Sequence, residues 1–176
     1  MTIYNNIGNE YNNTRKADQR IVDQLEIFLD YRKNLILADI GAGTGNYSYE
    51  LASRNYKVYA IEPSDVMIAQ GKNHENLTWI KGYAEKIPLN NLSVDAVICT
   101  LATHHFTSLE LFLSETYRIL KKDGILIIYT FDPVLTGEDD WLKYHFYDLY
   151  NKAIKTVPRQ HELIKIIENF YRNEPL

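Results

Sequence analysis

Residues 35–46 read Leu-Ile-Leu-Ala-Asp-Ile-Gly-Ala-Gly-Thr-Gly-Asn. An apolar run of strand length carries one acid, Asp39, and ends in three alternating glycines, and a helix-like segment follows over residues 47–54. Strand, glycine turn and helix in this order begin a βαβ unit of the kind that binds nucleotides. The glycines permit a tight turn, the approach of a ligand to the backbone and close packing of the helix on the strand. The first N–H groups of the helix can then face polar groups of a ligand.

The spacing of Gly41, Gly43 and Gly45 restricts the class of ligand. Dinucleotide dehydrogenases carry G-x-G-x-x-G, but Asn46 stands where their third glycine would be. The P-loop pattern is also missing, because no Lys-Ser or Lys-Thr pair follows Gly45. Asp39 adds a carboxylate at the mouth of the strand, which would repel a pyrophosphate but suits a cation. The turn therefore argues against a dehydrogenase site and against a P-loop site.

The length and charge of the chain exclude several classes of function. Its 176 residues predict a single domain, residues 1–176, and a net charge of −4 gives no basic field that would attract nucleic acid or an anionic membrane. The single cysteine, Cys99, lies in an apolar run and fits core packing in a reducing cytoplasm. No apolar stretch reaches the roughly 20 residues of a membrane span. With no signal peptide and no metal-ligand spacing in the sequence, we expect a cytoplasmic protein without a metal site.

Hydrophobic periodicity predicts strands that alternate with helices. Strands are expected over residues 35–40, 57–61, 77–80, Val94–Thr100 and 125–131. Helices are expected over residues 17–30 and 47–54, from the N-cap Ser64 to Gly71, from a Thr107–Glu110 capping box to residues 121–124, and after Pro158. The alternation predicts an α/β, doubly wound parallel sheet of order 3-2-1-4-5, with its site at the carboxyl ends of strands one, two and four. Residues 141–150 are aromatic and helix-like, and no strand is predicted after residue 131.

Glu62 closes strand two, about 20 residues beyond the glycine turn. An acid at this position binds ribose hydroxyls in folds of this type, because one carboxylate accepts hydrogen bonds from both hydroxyls. The alternative is a solvated glutamate on the surface. The position of Glu62 at the carboxyl end of a strand, beside the start of a helix, favours the ribose role.

Three segments resemble the class I S-adenosylmethionine (SAM)-dependent methyltransferases. Asp-x-Gly-x-Gly-x-Gly over residues 39–45, with the acid that closes strand two, resembles their motif I, and residues 82–88 are similar to their G-D-A-x-x-L-P segment. Residues 104–124, with the pattern HHF…E…R-I-L-K-x-x-G, resemble the methyltransferases grouped with the ubiquinone/menaquinone C-methylating enzymes. Residues 7–15 also look like the Y…Y…R leader of many small-molecule methyltransferases, and the similar segments together cover residues 7–132. The resemblance implies a Rossmann-like sheet, S-adenosyl-L-methionine as cofactor and methyl transfer to a small-molecule acceptor.

The same resemblance implies the residues that bind SAM. Asp39, Gly41 and Gly43 are predicted around the methionine moiety, and Glu62 on the ribose. The whole predicted cofactor-binding set is Tyr11, Arg15, Asp39, Gly41, Ala42, Gly43, Gly45, Glu62, Pro63, Met67, Ala84, Glu85, Thr100 and Ala102.

Two parts of this set carry alternatives. The amide of Ala84 is predicted to hold the adenine, but Tyr83 replaces the acid that the family has there, so Glu85 either contacts the adenine amine or is simply exposed. Residues 1–16 are polar and aromatic. They form either a floppy terminus or a lid in which Tyr11 and Arg15 close over SAM, and we favour the lid.

Methyl transfer is an in-line displacement, so the protein mainly supplies alignment, a dry cavity and a base for the departing proton. His104 and His105 follow strand four and are the predicted catalytic bases, since histidine titrates near neutral pH. The alternative is that one or both only pack in the loop. Residues 100–103 lack the N/D-P-P-Y/F/W motif of the family's DNA amino-methylating enzymes, which argues against DNA as substrate.

A rival hypothesis is a non-catalytic or truncated SAM-binding subunit. The family's core normally has two further strands, whereas residues 133–176 of this chain read as a C-terminal helical segment after a SAM-binding core over residues 17–132. Strand five would then have an open apolar edge, which invites pairing with another chain. We expect either a homodimer at this edge or a C-terminal continuation that supplies the missing strands.

Overall fold

The computed structural model describes residues 16–134 and 147–173. Its centre is a five-stranded parallel sheet with the order β3-β2-β1-β4-β5. The strands are β1 (Ile36–Ile40), β2 (Lys57–Glu62), β3 (Leu77–Lys81), β4 (Val94–Thr100) and β5 (Leu120–Tyr129). The helices are α1 (Gln19–Phe28), α2 (Asn46–Ser53), α3 (Asp65–Ala69), α4 (Leu109–Ile119), α5 (Tyr147–Thr156) and α6 (Gln160–Asn173), with a 3₁₀ helix at Thr103–His105. The predicted α/β class and strand order are confirmed.

Helices cover both faces of the sheet, which explains why residues 96–99 of β4 are all apolar and buried. Ala96 and Ile98 pack on one face with α1 and α2, whereas Val97 and Cys99 pack on the other face with α4 and α6. Cys99 is buried, as its apolar run predicted. Because the strands are parallel, the carboxyl ends of β1, β2 and β4 lie at one edge of the sheet, where the sequence places the site.

The start of α4 differs from the prediction. The N-cap is Ser108, whose Oγ accepts a hydrogen bond of 3.2 Å from the Leu111 amide, and not Thr107. Both residues are good N-caps by type. Thr107 is instead hydrogen-bonded to Glu85, a residue 22 positions earlier in the chain.

The start of β5 is also different. The prediction ended the preceding helix at residues 121–124 and began the strand at 125, but α4 ends at Ile119 and β5 begins at Leu120. Leu120 pairs with Val94, and the next pair is Ala96 with Ile125, so residues 121–124 bulge out of the ladder. The polar residues that predicted a turn therefore form an irregularity within the strand.

An open groove runs beside the outer edge of β5. Among the described residues no strand pairs with this edge, and residues 147–173 beyond it are largely helical. The groove has a volume of about 890 Å³ and lies between α1 and α6. Phe28 on α1 and Ile164 on α6 line it and are 59% and 47% exposed. The open apolar edge that the sequence predicted is thus present in the described part of the chain.

Helix α1 is tied to the sheet layer by a buried carboxylate. Glu26 is 7% exposed and accepts hydrogen bonds from Lys33 Nζ (2.8 Å), Arg54 (2.5 Å) and the Tyr56 hydroxyl (3.2 Å). Burial acts to raise the pKa of Glu26, but the hydrogen bonds from Lys33 and Arg54 outweigh it and lower that pKa. The ionised carboxylate therefore joins α1 to α2 and to the start of β2.

Replacing Glu26 with alanine should lower the free energy of unfolding by about 2 kcal/mol, because three donors lose their shared acceptor in a largely buried place. Urea unfolding followed by circular dichroism measures the change. Lys81→Gln is the matched control, because it breaks the ion pair of Lys81 with Asp65, whose side chains are 56% and 74% exposed. Such a pair contributes about 0–1 kcal/mol. Equal losses in the two variants would contradict a special role for Glu26.

Candidate active site

The glycine turn after β1 is fixed to the end of β2. The amides of Gly41 and Ala42 both donate to the carbonyl of Ile61, over 2.9 and 3.1 Å. Gly41, Gly43 and Gly45 have φ values of +75°, +60° and +69°, which L side chains adopt only with strain. The glycine turn is therefore held in a backbone conformation that only glycine adopts easily. Helix α2 begins directly after this turn in the chain.

The three glycines differ in what surrounds them. A methyl group added at Gly41 would lie 2.6 Å from Ala102 Cβ, and one at Gly45 would lie 2.5 Å from the Trp79 ring. Around Gly43, only the Met67 Cε methyl among the described residues comes within 4 Å, at 3.9 Å. Gly41 and Gly45 thus allow close packing of the protein on itself, whereas Gly43 leaves space beside the backbone.

Glu62 lies directly against this turn. Its Oε2 accepts a hydrogen bond of 2.9 Å from the Gly43 amide, and its Oε1 accepts one of 2.9 Å from the Ser64 amide. Burial raises the pKa of Glu62, although both backbone hydrogen bonds oppose the shift. The side chain is 6% exposed, so the alternative of a solvated surface glutamate is wrong. Each oxygen keeps a second lone pair with which it can accept from a ligand hydroxyl.

Asp39 is a second buried acid beside the turn. It is 2% exposed and accepts a hydrogen bond of 2.5 Å from the Ser48 hydroxyl on α2. Burial raises the pKa of Asp39 to about 6 against the effect of Ser48, and the nearby charge of Glu62 raises it further. A cationic group placed between the two acids would relieve this repulsion and favour both ionised carboxylates.

The turn after β4 carries buried polar atoms that have no partner. Thr100 Oγ1, Thr103 Oγ1 and His104 Nδ1 lack a hydrogen bond in the part of the chain that the structure describes. Leu101 between them has a φ of +55°, a strained value for a leucine. Buried polar atoms in native proteins are nearly always hydrogen-bonded to protein, water or ligand. The carboxyl end of β4 is therefore a place where a ligand or water has groups to bind.

His104 and His105 stand next to each other in this turn. Their ring centroids are 3.8 Å apart, and the His104 ring is 6.4 Å from the ring of Phe131. Burial lowers the pKa of the half-buried His104. Burial and the charge of His104 also lower the pKa of His105, although its side chain is exposed and water moderates the shift. Both imidazoles are neutral at pH 7, the form that can accept a proton.

The segment after β3 is partly buried beside this turn. Ala84 is 6% exposed, and Glu85 Oε1 accepts hydrogen bonds from the amide (2.5 Å) and hydroxyl (2.9 Å) of Thr107. Tyr83, which replaces the acid of the family pattern, is 56% exposed. One oxygen of Glu85 is thus bound to Thr107 whatever its other oxygen contacts.

Most of the predicted site residues lie together at the carboxyl edge of the sheet, on the glycine turn and the turns after β2 and β4. These residues are Asp39, Gly41, Ala42, Gly43, Gly45, Glu62, Pro63, Met67, Thr100, Ala102, His104 and His105. Ala84 and Glu85 follow β3. Tyr11 and Arg15, the two residues predicted to close the lid, lie outside the described residues.

Sequence reasoning missed Ser48 and Trp79. Ser48 donates to Asp39, and Trp79 faces both Gly45 and Gly71, where added methyl groups would lie 2.5 and 2.1 Å from its ring. Ser48 lies on α2 with its hydroxyl on the Asp39 side, which helical spacing from the turn could have indicated. Trp79 gives no local signal, because its contacts come from residues distant in the sequence.

The fold and the turn together define a class of protein. The chain has a parallel sheet of order 3-2-1-4-5, a glycine turn after β1 and a buried acid at the end of β2. These features together are typical of the SAM-binding domain of the class I SAM-dependent methyltransferases. Residues 38–128 match the family model described as a methyltransferase domain. The chain therefore belongs to the methyltransferase domain family, and its cofactor is SAM.

Relatives and solved structures show the same class. A protein of Dictyostelium discoideum named as a methyltransferase is 32% identical over 139 residues, which are 78% of this chain and 52% of the relative. The ubiquinone/menaquinone biosynthesis C-methyltransferase of Rubrivivax gelatinosus is 29% identical over 125 residues, 70% of this chain and 47% of that protein. A crystal structure of an Anabaena variabilis methyltransferase, described as from an antibiotic biosynthesis pathway, has a TM-score of 0.84 and 41% identity, and covers 90% of this chain and 63% of that one. The chain spans about half the length of the curated relatives it matches.

None of the helices in residues 16–134 and 147–173 has both the length and the apolar character that crossing a bilayer requires.

Proposed function

We propose that this chain transfers the methyl group of SAM to a small-molecule acceptor. The observation that carries the proposal is the pair of neighbouring buried acids, Asp39 and Glu62, at the glycine turn, where Glu62 accepts from the amide of Gly43. The names of two relatives support a small acceptor, since one belongs to ubiquinone/menaquinone biosynthesis and the other to an antibiotic pathway. When bound, SAM supplies a methyl group on a positively charged sulfur that is already a good leaving group.

Each part of the site has a role in this proposal. Asp39 supplies negative charge for the ammonium group of the methionine moiety, and Glu62 accepts from the ribose hydroxyls with its second lone pairs. Gly43 lets the cofactor approach the backbone, and the amide of Ala84 holds the adenine. In this proposal His104 takes the proton that leaves an acidic acceptor.

The experiment that tests the proposal measures S-adenosylhomocysteine formation by the protein with SAM and a panel of phenols, hydroquinones, amines and carboxylic acids. We expect turnover with at least one class of acceptor, and none when SAM is omitted. Tight SAM binding with no turnover on any acceptor would contradict the proposal and favour the second candidate.

The second candidate is a SAM-binding subunit that needs further protein at β5. The open edge of β5 and the groove of about 890 Å³ beside it favour this candidate. An unpaired apolar strand edge readily accepts another strand, either from a second copy or from a C-terminal continuation. Light scattering after size-exclusion chromatography separates the outcomes. A stable monomer with full turnover would exclude this candidate.

The affinity for SAM should depend on pH through Asp39. Its pKa of about 6 means that the acid takes up a proton as the pH falls through 6, and a cationic ligand binds the ionised form. We therefore expect full affinity near pH 7 and weaker binding below about pH 6, by up to about tenfold per pH unit. Calorimetry between pH 5 and 8 measures this dependence, with proton release on binding near pH 6.

Asp39→Asn is the control for this prediction. The variant should bind SAM more weakly at pH 8 and lose most of the pH dependence; Glu62, whose pKa burial also raises, accounts for the remainder. Equal affinities of the wild-type protein at pH 5.5 and pH 7.5 would contradict the assignment of Asp39.

A further inference from the structure

Glu85 joins two turns that flank the site. Its Oε1 accepts hydrogen bonds from Thr107 N (2.5 Å), Thr107 Oγ1 (2.9 Å) and Ser108 N (3.4 Å). Glu85 is the residue after Ala84, in the segment that follows β3. Thr107 lies two residues after His105. A single carboxylate oxygen therefore connects the segment beside the adenine position to the turn that carries both histidines.

The carboxylate of Glu85 is ionised in this position. Burial acts to raise its pKa, but the hydrogen bonds from the amide and hydroxyl of Thr107 outweigh burial and lower that pKa. The amides of Thr107 and Ser108 precede the first turn of α4, where backbone donors have no partner within the helix. Negative charge is favourable at this end of a helix. Glu85 thus supplies, from a distant turn, the charge and the acceptor that the start of α4 requires.

The segment 86–92 has its own, separate attachment to α4. Glu115 Oε2 accepts from the amide of Ile87 over 2.7 Å. Arg118 donates to the carbonyls of Ile87 and Leu89, over 2.8 Å each, and to Asn91 Oδ1 over 2.9 Å. These bonds do not involve Glu85. Removing the Glu85 carboxylate therefore leaves residues 86–92 attached to α4. Only the hydrogen bonds between Glu85 and the end of the histidine turn are lost.

The histidine turn is held by longer-range as well as local contacts. Leu101 at its start has a φ of +55°, and its amide donates to the Tyr129 carbonyl of β5 over 2.8 Å. The amides of His105 and Phe106 donate within the turn, to the carbonyls of Ala102 and Thr103. Phe106 packs on Phe112 of α4, with ring centroids 4.9 Å apart. A strained turn keeps its position only when neighbouring structure holds it. β5 does so at the start of this turn, and Glu85 does so at its end.

We propose that Glu85 is a positioning residue for methyl transfer: it holds the turn of His104 and His105 in register with the segment that carries Ala84. This inference rests on the proposed function, since it assigns to Glu85 the alignment of the base with the bound cofactor. It differs from the predicted contact of Glu85 with the adenine amine, because a positioning residue acts on turnover and not on SAM affinity.

Glu85→Ala should lower kcat about 10- to 100-fold, because small misplacements of reacting groups are costly, while the Kd for SAM stays unchanged. Glu85→Gln keeps an oxygen that accepts from the Thr107 amide and should keep most of the wild-type kcat. Thr107→Val removes only the hydroxyl and should have an intermediate effect. Glu75→Ala is the control, since it removes an exposed acid outside the two turns, and it should leave both kcat and the Kd for SAM unchanged.

Amide hydrogen exchange tests the same link without an acceptor. In Glu85→Ala, exchange should rise over residues 101–108 and stay unchanged over residues 86–92. Loss of SAM affinity with unchanged kcat would overturn the proposal in favour of the adenine contact, and unchanged kcat with unchanged exchange would overturn it outright. If the wild-type protein shows no turnover, the proposed function fails, and hydrogen exchange alone decides on the link through Glu85.

Discussion

Replacing Glu62 with alanine should weaken the binding of SAM about 10- to 100-fold, which corresponds to about 1–3 kcal/mol. The ribose hydroxyls lose a charged acceptor in a place where the side chain is 6% exposed and water cannot replace it fully. The amides of Gly43 and Ser64 lose the same acceptor, so the glycine turn itself becomes less ordered. Isothermal titration calorimetry with SAM and with S-adenosylhomocysteine measures the loss.

Two variants make the Glu62 experiment specific. Asp65→Ala removes a carboxylate at the start of α3, three residues after Glu62. The side chain of Asp65 is 74% exposed and forms an ion pair with Lys81 at the surface. This variant should leave SAM affinity unchanged. Glu62→Gln keeps the size of the side chain and one acceptor and should lie between the wild-type protein and Glu62→Ala. Unchanged affinity in Glu62→Ala, with a folded protein by circular dichroism, would contradict the ribose assignment.

Replacing His104 with alanine should lower kcat about 100-fold or more for an acceptor that must lose a proton, because a general base contributes about 10²–10⁴ in rate. His104 Nδ1 is buried without a partner among the described residues, so no group there competes with an acceptor for this nitrogen. Its lowered pKa keeps the ring neutral at pH 7. The wild-type kcat should then be constant at neutral pH and fall only below about pH 6.5.

The histidine experiment needs the second histidine and a control. His105→Ala should have a smaller effect than His104→Ala, because the side chain of His105 is exposed. His161→Ala removes an exposed histidine from α6 and should leave both kcat and SAM affinity unchanged. Full activity and an unchanged pH profile in both His104→Ala and His105→Ala would show that neither histidine is the base.

Local sequence pattern was sufficient to predict the elements that form the candidate site. β4 has the bounds Val94–Thr100 that its apolar run predicted, and Glu62 closes β2 as expected. Both predictions depend on residues within one strand or one turn. A run of apolar residues buried on both faces, or a fixed distance from a glycine turn, is visible without any tertiary information.

The errors occurred where a distant partner decides the local structure. Ser108 and Thr107 are both favourable N-cap types, and Glu85 accepts from the Thr107 hydroxyl, which leaves Ser108 to cap α4. Likewise, the strand character of Leu120 depends on its pairing with Val94. Residues 121–124 are polar enough to predict a turn, and only the register with β4 shows that they bulge within the strand.

The charges of the site were only partly visible in the sequence. Asp39 and Glu62 could be identified by position, but the raised pKa of each follows from burial and, for Asp39, from the neighbouring carboxylate, which a sequence does not show. The lid with Tyr11 and Arg15 stays a prediction, because both residues lie outside the described part of the chain.

The most direct test of the account is a crystal structure of the protein with S-adenosylhomocysteine. We predict both ribose hydroxyls within hydrogen-bond distance of the Glu62 carboxylate, and the amino group of the ligand beside Asp39. The open backbone at Gly43 should face the ligand. A ligand bound in the groove beside β5, or one whose ribose lies away from Glu62, would contradict the account.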